Sequence, residues 1–264
     1  MMNDRSPVLE SFTNSAATIT LNRPEQHNAF NPVMVKALTE SFHRLGERND
    51  LRMVILTGSG RSFCADADLA SMKEAAARSY EDNLKDAEGI FDLMVAVDSC
   101  PLIVVGRING SAIGGGMGLV SCCDITVSVD RAKFGFSETR LGLVPAVISP
   151  FVIAKIGLNN ARELFLTGER FDAWRAKEIG LIQHVLDEAN IDEKIDERVR
   201  ELLKSAPGAV RAAKRLIATV AGRSLNDLRP YTTQMIAERR SSDEGREGTN
   251  AFLEKREPWW RERK

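Results

Sequence analysis

The chain has 264 residues, 36 Lys and Arg against 37 Asp and Glu, and a formal net charge of -1. At 43% hydrophobic and 28% charged residues, it is too apolar and too balanced in charge to stay disordered, and long enough to bury a large core. It lacks the basic excess that a nucleic-acid-binding protein uses on phosphates, so no nucleic-acid partner is expected.

The opening Met-Met-Asn-Asp-Arg-Ser-Pro has no apolar core and predicts no export signal. Ala17–Leu21 alternates and is rich in β-branched residues, which predicts a strand. A polar turn follows over residues 22–28. Met34, Leu38, Phe42 and Leu45 then recur at helical spacing. Met53–Thr57 is a short continuous apolar run ended by Gly58-Ser-Gly60, the pattern of a strand covered on both faces. Leu84, Ala87, Phe91 and Met94 mark a helix that breaks near Cys100-Pro101, and Leu102–Val105 is the next buried strand. The stretch from Ile108 to Cys123 is the most apolar, but it carries Asn109 and five glycines. It is also shorter than the ~20 apolar residues of a membrane-crossing helix, so no membrane partner is expected. Ile125–Val129 is a further strand. After about Ile148 the segments 149–156, 160–166, 173–179, 192–204, 207–221, 225–240 and 244–256 read as helical. Strands alternating with helices predict an α/β core with a largely parallel sheet over residues 1–200. Residues 201–264 are expected to form a helical region that packs on the core or on another subunit.

The cysteines stand at 64, 100, 122 and 123, with no Cys-x-x-Cys pair, and the histidines are His27, His43 and His184. No metal site is expected, and a reduced, cytoplasmic setting is. Cys64, Cys122 and Cys123 are read as small apolar packing residues.

Two glycine-containing turns each follow a buried strand, Gly58–Leu69 and Asn109–Gly118. Ligands of open parallel sheets sit beyond the carboxyl ends of the strands, where glycines let the main chain approach and leave N–H groups pointing at a ligand. Two such amides converging on one oxygen make an oxyanion hole. No Gly-Lys-Ser/Thr follows, so neither turn is a phosphate loop. Glu138 lies after the Ile125–Val129 strand among apolar neighbours, where burial would raise its pKa toward neutrality. The alternative for Glu138 is a surface ion pair with Arg140.

Taken in order, Leu21-Asn-Arg-Pro24, the two glycine turns, Cys123-Asp124-Ile125, Phe134 to Pro145, Leu166-Thr-Gly168 and Asp243 to Arg256 resemble the enoyl-CoA hydratase/isomerase (crotonase) superfamily over nearly the whole chain. The resemblance implies a crotonase-like α/β fold: a spiral core of ββα repeats with a helical C-terminal trimerisation region. It implies acyl-CoA thioesters as substrate, coenzyme A entering only as part of that substrate with no other cofactor, and self-assembly as a homotrimer or dimer of trimers. Matched by position, the backbone N–H groups of Ala67 and Gly115 would be the oxyanion donors and Glu138 the acid/base. Gln26, His27, Ala65, Asp66, Asp68, Leu69, Gly114, Gly118, Phe252 and Lys255 would bind substrate. Asp68 is also read as a helix cap.

The sequence departs from the common family pattern in three places. The two-glutamate hydratases carry a carboxylate where this chain has Gly118. The usual Ala-Gly-Ala-Asp reads Ala65-Asp66-Ala67-Asp68, and aspartate enters the left-handed region less freely than glycine. The small residues after Pro145 are replaced by Ala146-Val147-Ile148-Ser149-Pro150, which predicts an altered acyl pocket. The Gly118 and 146–150 segments resemble a bacterial subgroup acting on 3-methylglutaconyl-CoA or related branched acyl-CoAs in leucine and terpenoid breakdown. The resemblance leaves three readings: a 2-enoyl-CoA hydratase, a single-glutamate Δ3,Δ2-enoyl-CoA isomerase, and a weakly catalytic acyl-CoA-binding or nucleic-acid-binding protein. For nucleic acid, the one candidate patch is the basic tail around Trp259-Trp260.

Overall fold

The computed structural model describes residues 6–13, 15–65, 73 and 77–262. The chain falls into two compact units, Met1–Ile195 and Asp196–Lys264.

The first unit is built on two sheets. The six-stranded sheet has the order β1 (Val8–Thr13), β2 (Ala16–Leu21), β3 (Met53–Gly58), β5 (Ile103–Ile108), β7 (Ile125–Val129), β10 (His184–Leu186). The β1–β2 pairing is antiparallel, and every other pairing in this sheet is parallel. The four-stranded sheet has the order β4 (Ser62–Cys64), β6 (Ser111–Ile113), β8 (Lys133–Gly135), β9 (Arg170–Asp172). Here β4–β6 and β6–β8 are parallel and β8–β9 antiparallel. Each of the pairs β3/β4, β5/β6 and β7/β8 sends its first strand to the large sheet and its second to the small one. That alternation is the ββα repeat that the resemblance implies.

The short strands of the small sheet sit inside the glycine-rich segments, which the sequence presents as turns. Alternation over three residues is too brief to separate a strand from a turn. Edge strand β1 has an exposed outer half, so it lacks a clean apolar alternation.

The main helices of the first unit are α1 (Pro32–Gly46), α2 (Tyr80–Asp98), α3 (Gly115–Cys122), α4 (Ser149–Thr167) and α5 (Ala173–Glu178). In α1, Pro32 opens the first turn, the Asn31 side chain accepts from the Met34 N–H at 2.8 Å, and the buried stripe is Met34, Val35, Leu38, Phe42 and Leu45. The α2 stripe differs from the expected one: Leu93, Met94, Ala96 and Val97 are buried, while Leu84 and Phe91 are exposed. Phe91 packs instead on the Phe151 ring, 5.8 Å between centroids, at the rim. The two helices expected over 149–156 and 160–166 follow one another within α4, separated by a kink where Gly157 leaves the helical region at φ +77° and ψ 161°.

In the second unit, α6 (Ile191–Leu203) is continued from the first, and α7 (Pro207–Val220), α8 (Leu225–Ser241), α9 (Asp243–Leu253) and α10 (Trp259–Glu262) follow. The Glu244 carboxylate accepts from the Gly208 and Ala209 amides at 2.8 and 3.0 Å and pairs with Arg239, closing the N-terminus of α7 with a negative charge. Trp260 donates Nε1–H to the Lys204 carbonyl and stands edge-on to Trp259, so this tryptophan docks on its own unit. Among the described residues of this unit Ala212 and Ala251 are the buried apolar side chains, while Ile217, Leu225, Ile236, Phe252 and Leu253 are exposed.

The four cysteines are free and buried. No helix among the described residues is long and apolar enough to cross a membrane.

Candidate functional site

Buried asparagines hold the first strand-ending turn, Asn109 from the second turn and Asn28 from the polar turn over residues 22–28. Asn109, at the end of β5, accepts from the Gly58 N–H at 3.0 Å and donates to the Gly60 carbonyl at 3.0 Å. Asn28, fully buried, donates to the carbonyls of Ser59, Ser62 and Phe63 at 2.9, 2.9 and 3.1 Å and accepts from the Arg23 N–H at 2.8 Å. Neither residue stood out in the sequence as a positioning group, since a lone Asn in a polar turn carries no spacing signal. The same polar turn reaches the first glycine segment once more, where the Ala65 N–H donates to the His27 carbonyl at 2.9 Å. His27 itself is exposed, has φ +50°, and places Nδ1 3.0 Å from the Ser62 hydroxyl. Gln26 beside it is exposed and Ala65 is buried. Asp66, Ala67, Asp68 and Leu69 lie outside the described residues, so one of the two expected oxyanion amides is not placed.

The second glycine segment contains β6 and then the N-terminus of α3. The Gly114 N–H donates to the Gly135 carbonyl at 3.1 Å, and Gly114 O accepts from Met117 N and Gly118 N at 2.9 and 3.4 Å. The Gly115 N–H opens α3. A first-turn amide has no acceptor within its own helix and carries the positive end of the helix dipole. The packing around this turn explains its glycines. A Cβ on Gly114 would lie 3.4 Å from Glu138 Oε1, and one on Gly115 would lie 2.7 Å from Cδ2 and Cε2 of Phe30. At Gly116 the carbonyl of Cys64 takes the place of a Cβ, and at Gly118 a Cβ would meet Ile148 Cγ2 at 2.5 Å and Met94 Sδ at 2.8 Å.

Glu138 comes to this corner because β8 pairs with β6, with Gly135 opposite Ile113. Residues 137–141 then form a 3₁₀ turn. Buried Phe136 anchors the turn edge-on against Phe165, at 4.7 Å, and the Leu143 N–H donates to the Glu138 carbonyl at 3.0 Å. Arg140, the alternative partner for Glu138, directs Nε to the Thr167 carbonyl at 3.4 Å. The Glu138 carboxylate is half-buried, and its Oε2 is buried with no hydrogen-bond partner among the described residues. Desolvation by burial raises its pKa above the ordinary carboxylate value, opposed in part by a bond to its own backbone.

Burial also pushes the Cys64 thiol up to about 12, and the thiol donates to the Asn28 carbonyl at 3.1 Å, so Cys64 is a packing group and no nucleophile at neutral pH. Asp124 is structural as well: its Oδ2 accepts from the Val104 N–H at 2.7 Å. No group of three or more His, Cys, Asp or Glu suited to a metal ion occurs among the described residues. Phe252 and Lys255 belong to the second unit, where both are exposed and Lys255 takes φ +55°.

The structure thus brings Gly114, Gly115, Gly118 and Glu138 to one corner: a helix N-terminus, a raised-pKa carboxylate and an apolar floor. Such a corner can stabilise negative charge on an oxygen and move a proton beside it.

The sequence profile of the family described as Enoyl-CoA hydratase/isomerase matches residues 11–263. Enoyl-CoA hydratase EchA19 of Mycobacterium tuberculosis is 32% identical over 244 residues, covering 91% of both chains. The crystal structure of an enoyl-CoA hydratase from Shewanella pealeana superposes with a TM-score of 0.92 at 35% identity, covering 96% of each chain. That of Pseudomonas aeruginosa AtuE gives a TM-score of 0.93 at 33% identity, covering 97% of this chain and 99% of its own. The match extends over nearly all of the sequence and its neighbours share the mixed α/β architecture with a helical C-terminal region, so this chain belongs to the enoyl-CoA hydratase/isomerase (crotonase) family of enzymes.

Proposed function

We propose that the enzyme hydrates a 2-enoyl-CoA thioester, with 3-methylglutaconyl-CoA or a related branched acyl-CoA as the substrate class. The observation that carries the reading is the Glu138 carboxylate, desolvated and packed against Gly114, the N-cap residue of α3, where a Cβ would stand 3.4 Å from Oε1. The thioester oxygen accepts from the Gly115 N–H and, by the family resemblance, from the Ala67 N–H. Water adds its oxygen to Cβ, and negative charge gathers on the thioester oxygen as an enolate. Glu138 takes a proton from the water and delivers one to Cα, so that the elements of water are added across the double bond. Each oxyanion donor is worth about 3 kcal/mol of barrier lowering. No cofactor beyond the CoA of the substrate takes part.

The test is hydration of 3-methylglutaconyl-CoA and crotonyl-CoA before and after Glu138→Gln. Unchanged turnover in the variant removes Glu138 from the chemistry.

A second reading, Δ3,Δ2-enoyl-CoA isomerisation, is favoured by one observation. Ile148 and Met94 leave no room for a side chain at Gly118, so Glu138 is the carboxylate at this corner among the described residues. One base suffices to move a proton between Cα and Cγ. Reaction in 18O-water separates the two, because isomerisation incorporates no label.

We further propose that the enzyme assembles as a homotrimer or a dimer of trimers through its helical C-terminal region. Support comes from the exposed Ile217, Leu225, Ile236, Phe252 and Leu253. Light scattering on the full chain tests it, and a monomer at micromolar concentration overturns it.

A further inference from the structure

Ile148 meets the first turn of α3 from the same connection that carries Glu138. Glu138 leaves β8 on its 3₁₀ turn, and Ile148 closes the connection ten residues later as the N-cap residue of α4, its carbonyl accepting from the Val152 N–H at 3.1 Å. Its side chain is buried, as is that of Met94. Gly118 lies one helical turn beyond Gly114 and Gly115, on the same face of α3. The connection therefore lays a carboxylate over the start of that face and a branched apolar side chain over its continuation. An acyl group whose carbonyl oxygen meets the Gly115 amide must run its first carbons past this apolar floor.

We propose that Ile148 is a specificity-determining residue of the acyl site, the bulk of its side chain setting the width allowed at the carbons next to the thioester carbonyl. The proposal rests on the reading that an acyl thioester binds at Gly115. Unlike that reading, it is a statement about shape and can be tested without turnover.

The experiment measures calorimetric binding of two saturated, unreactive probes, butyryl-CoA and 3,3-dimethylbutyryl-CoA, to the full chain. Wild type is compared with Ile148→Val, Ile148→Ala and the exposed-site control Leu166→Ala. The wild type is expected to prefer butyryl-CoA. Ile148→Ala is expected to shift the ratio of the two dissociation constants about tenfold toward the bulky probe, with Ile148→Val between and Leu166→Ala unchanged. Ile148→Val trims a single methylene, which keeps the test valid if Ile148→Ala does not fold. An unchanged ratio in the Val variant, or an equal shift for both probes, overturns the proposal. If the wild type binds both probes yet hydrates nothing, the hydratase reading fails while the Ile148 result stands. If the wild type binds neither probe, both fail.

Discussion

The Glu138 carboxylate and Gly114 are packed so closely that a Cβ on Gly114 would stand 3.4 Å from Oε1. Gly114 also has φ +55° and ψ -118°, a conformation that side chains rarely adopt. Gly114→Ala therefore strains the backbone and presses on the carboxylate at once. We expect a stability loss of ~1–3 kcal/mol from the backbone and a fall in kcat of about 10²-fold from displaced geometry. Urea denaturation and steady-state kinetics separate the two effects. Full activity in a destabilised variant would mean that Gly114 does not set the position of Glu138.

Glu138 is held with its pKa raised by desolvation, and this has a sign in stability. A raised pKa means that the folded state favours the protonated carboxyl. That contribution is complete below the ordinary value of 4.5 and is lost as pH rises through the folded-state pKa. Glu138→Gln keeps the shape without the charge, so it is expected to raise Tm at pH 8 relative to wild type, with the gap closing by pH 4. Activity moves the other way: the variant loses turnover, and the wild-type acidic limb of kcat/KM falls at a pH above 4.5. Thermal melts across this range check the first statement. A gap that widens toward acid would contradict the desolvated carboxylate.

Much of this architecture was legible because its signals are long. Met53–Thr57 and Leu102–Val105 are continuous apolar runs, and both lead into central strands of the large sheet. The small-sheet strands Ser62–Cys64, Ser111–Ile113 and Lys133–Gly135 were not legible, because three residues cannot display a period of two. Residues at the corner divide in the same way. Gly114 to Gly118 and Glu138 lie in segments with a readable pattern. Phe30 reaches the corner from 84 or more positions away along the chain, and only the fold reveals it; Ile148 lies in the 146–150 segment already expected to alter the acyl pocket, and the fold adds that it meets Gly118 from 30 positions away.

Asn28 shows what such a hidden residue contributes. Its amide satisfies the carbonyls of Ser59, Ser62 and Phe63 and its own backbone holds φ +58°. Removing the amide takes a donor from all three carbonyls, of which that of Ser62 keeps Asn109 Nδ2 at 3.3 Å, and a buried carbonyl left without a donor costs ~1–3 kcal/mol. Asn28→Ala also loses asparagine's tolerance of the left-handed region. We expect a loss of ~3–5 kcal/mol from several buried hydrogen bonds, against about 1 kcal/mol or less for the exposed neighbour Gln26→Ala. Chemical denaturation of both variants checks the contrast. Equal, small effects would show that the Asn28 network is dispensable.

Phe30 is the residue whose effect on rate is expected to exceed its effect on stability. Its half-buried ring lies against Gly115, close enough that a Cβ there would be 2.7 Å from Cδ2 and Cε2. Its backbone is fixed on both sides, by the Arg23 guanidinium donating to the Ala29 carbonyl at 2.6 Å and by Asn31 capping α1. The ring therefore stays in place as a lid on one side of the proposed oxyanion amide. Phe30→Ala opens that side to water, which competes for the amide and weakens its interaction with developing charge. The expected result is a fall in kcat of about 10- to 100-fold with a smaller change in KM, since the charge is fullest in the transition state. Phe30→Leu, which retains apolar bulk, is expected to recover most of the rate. A variant that raises KM and leaves kcat intact would instead make Phe30 a simple substrate contact.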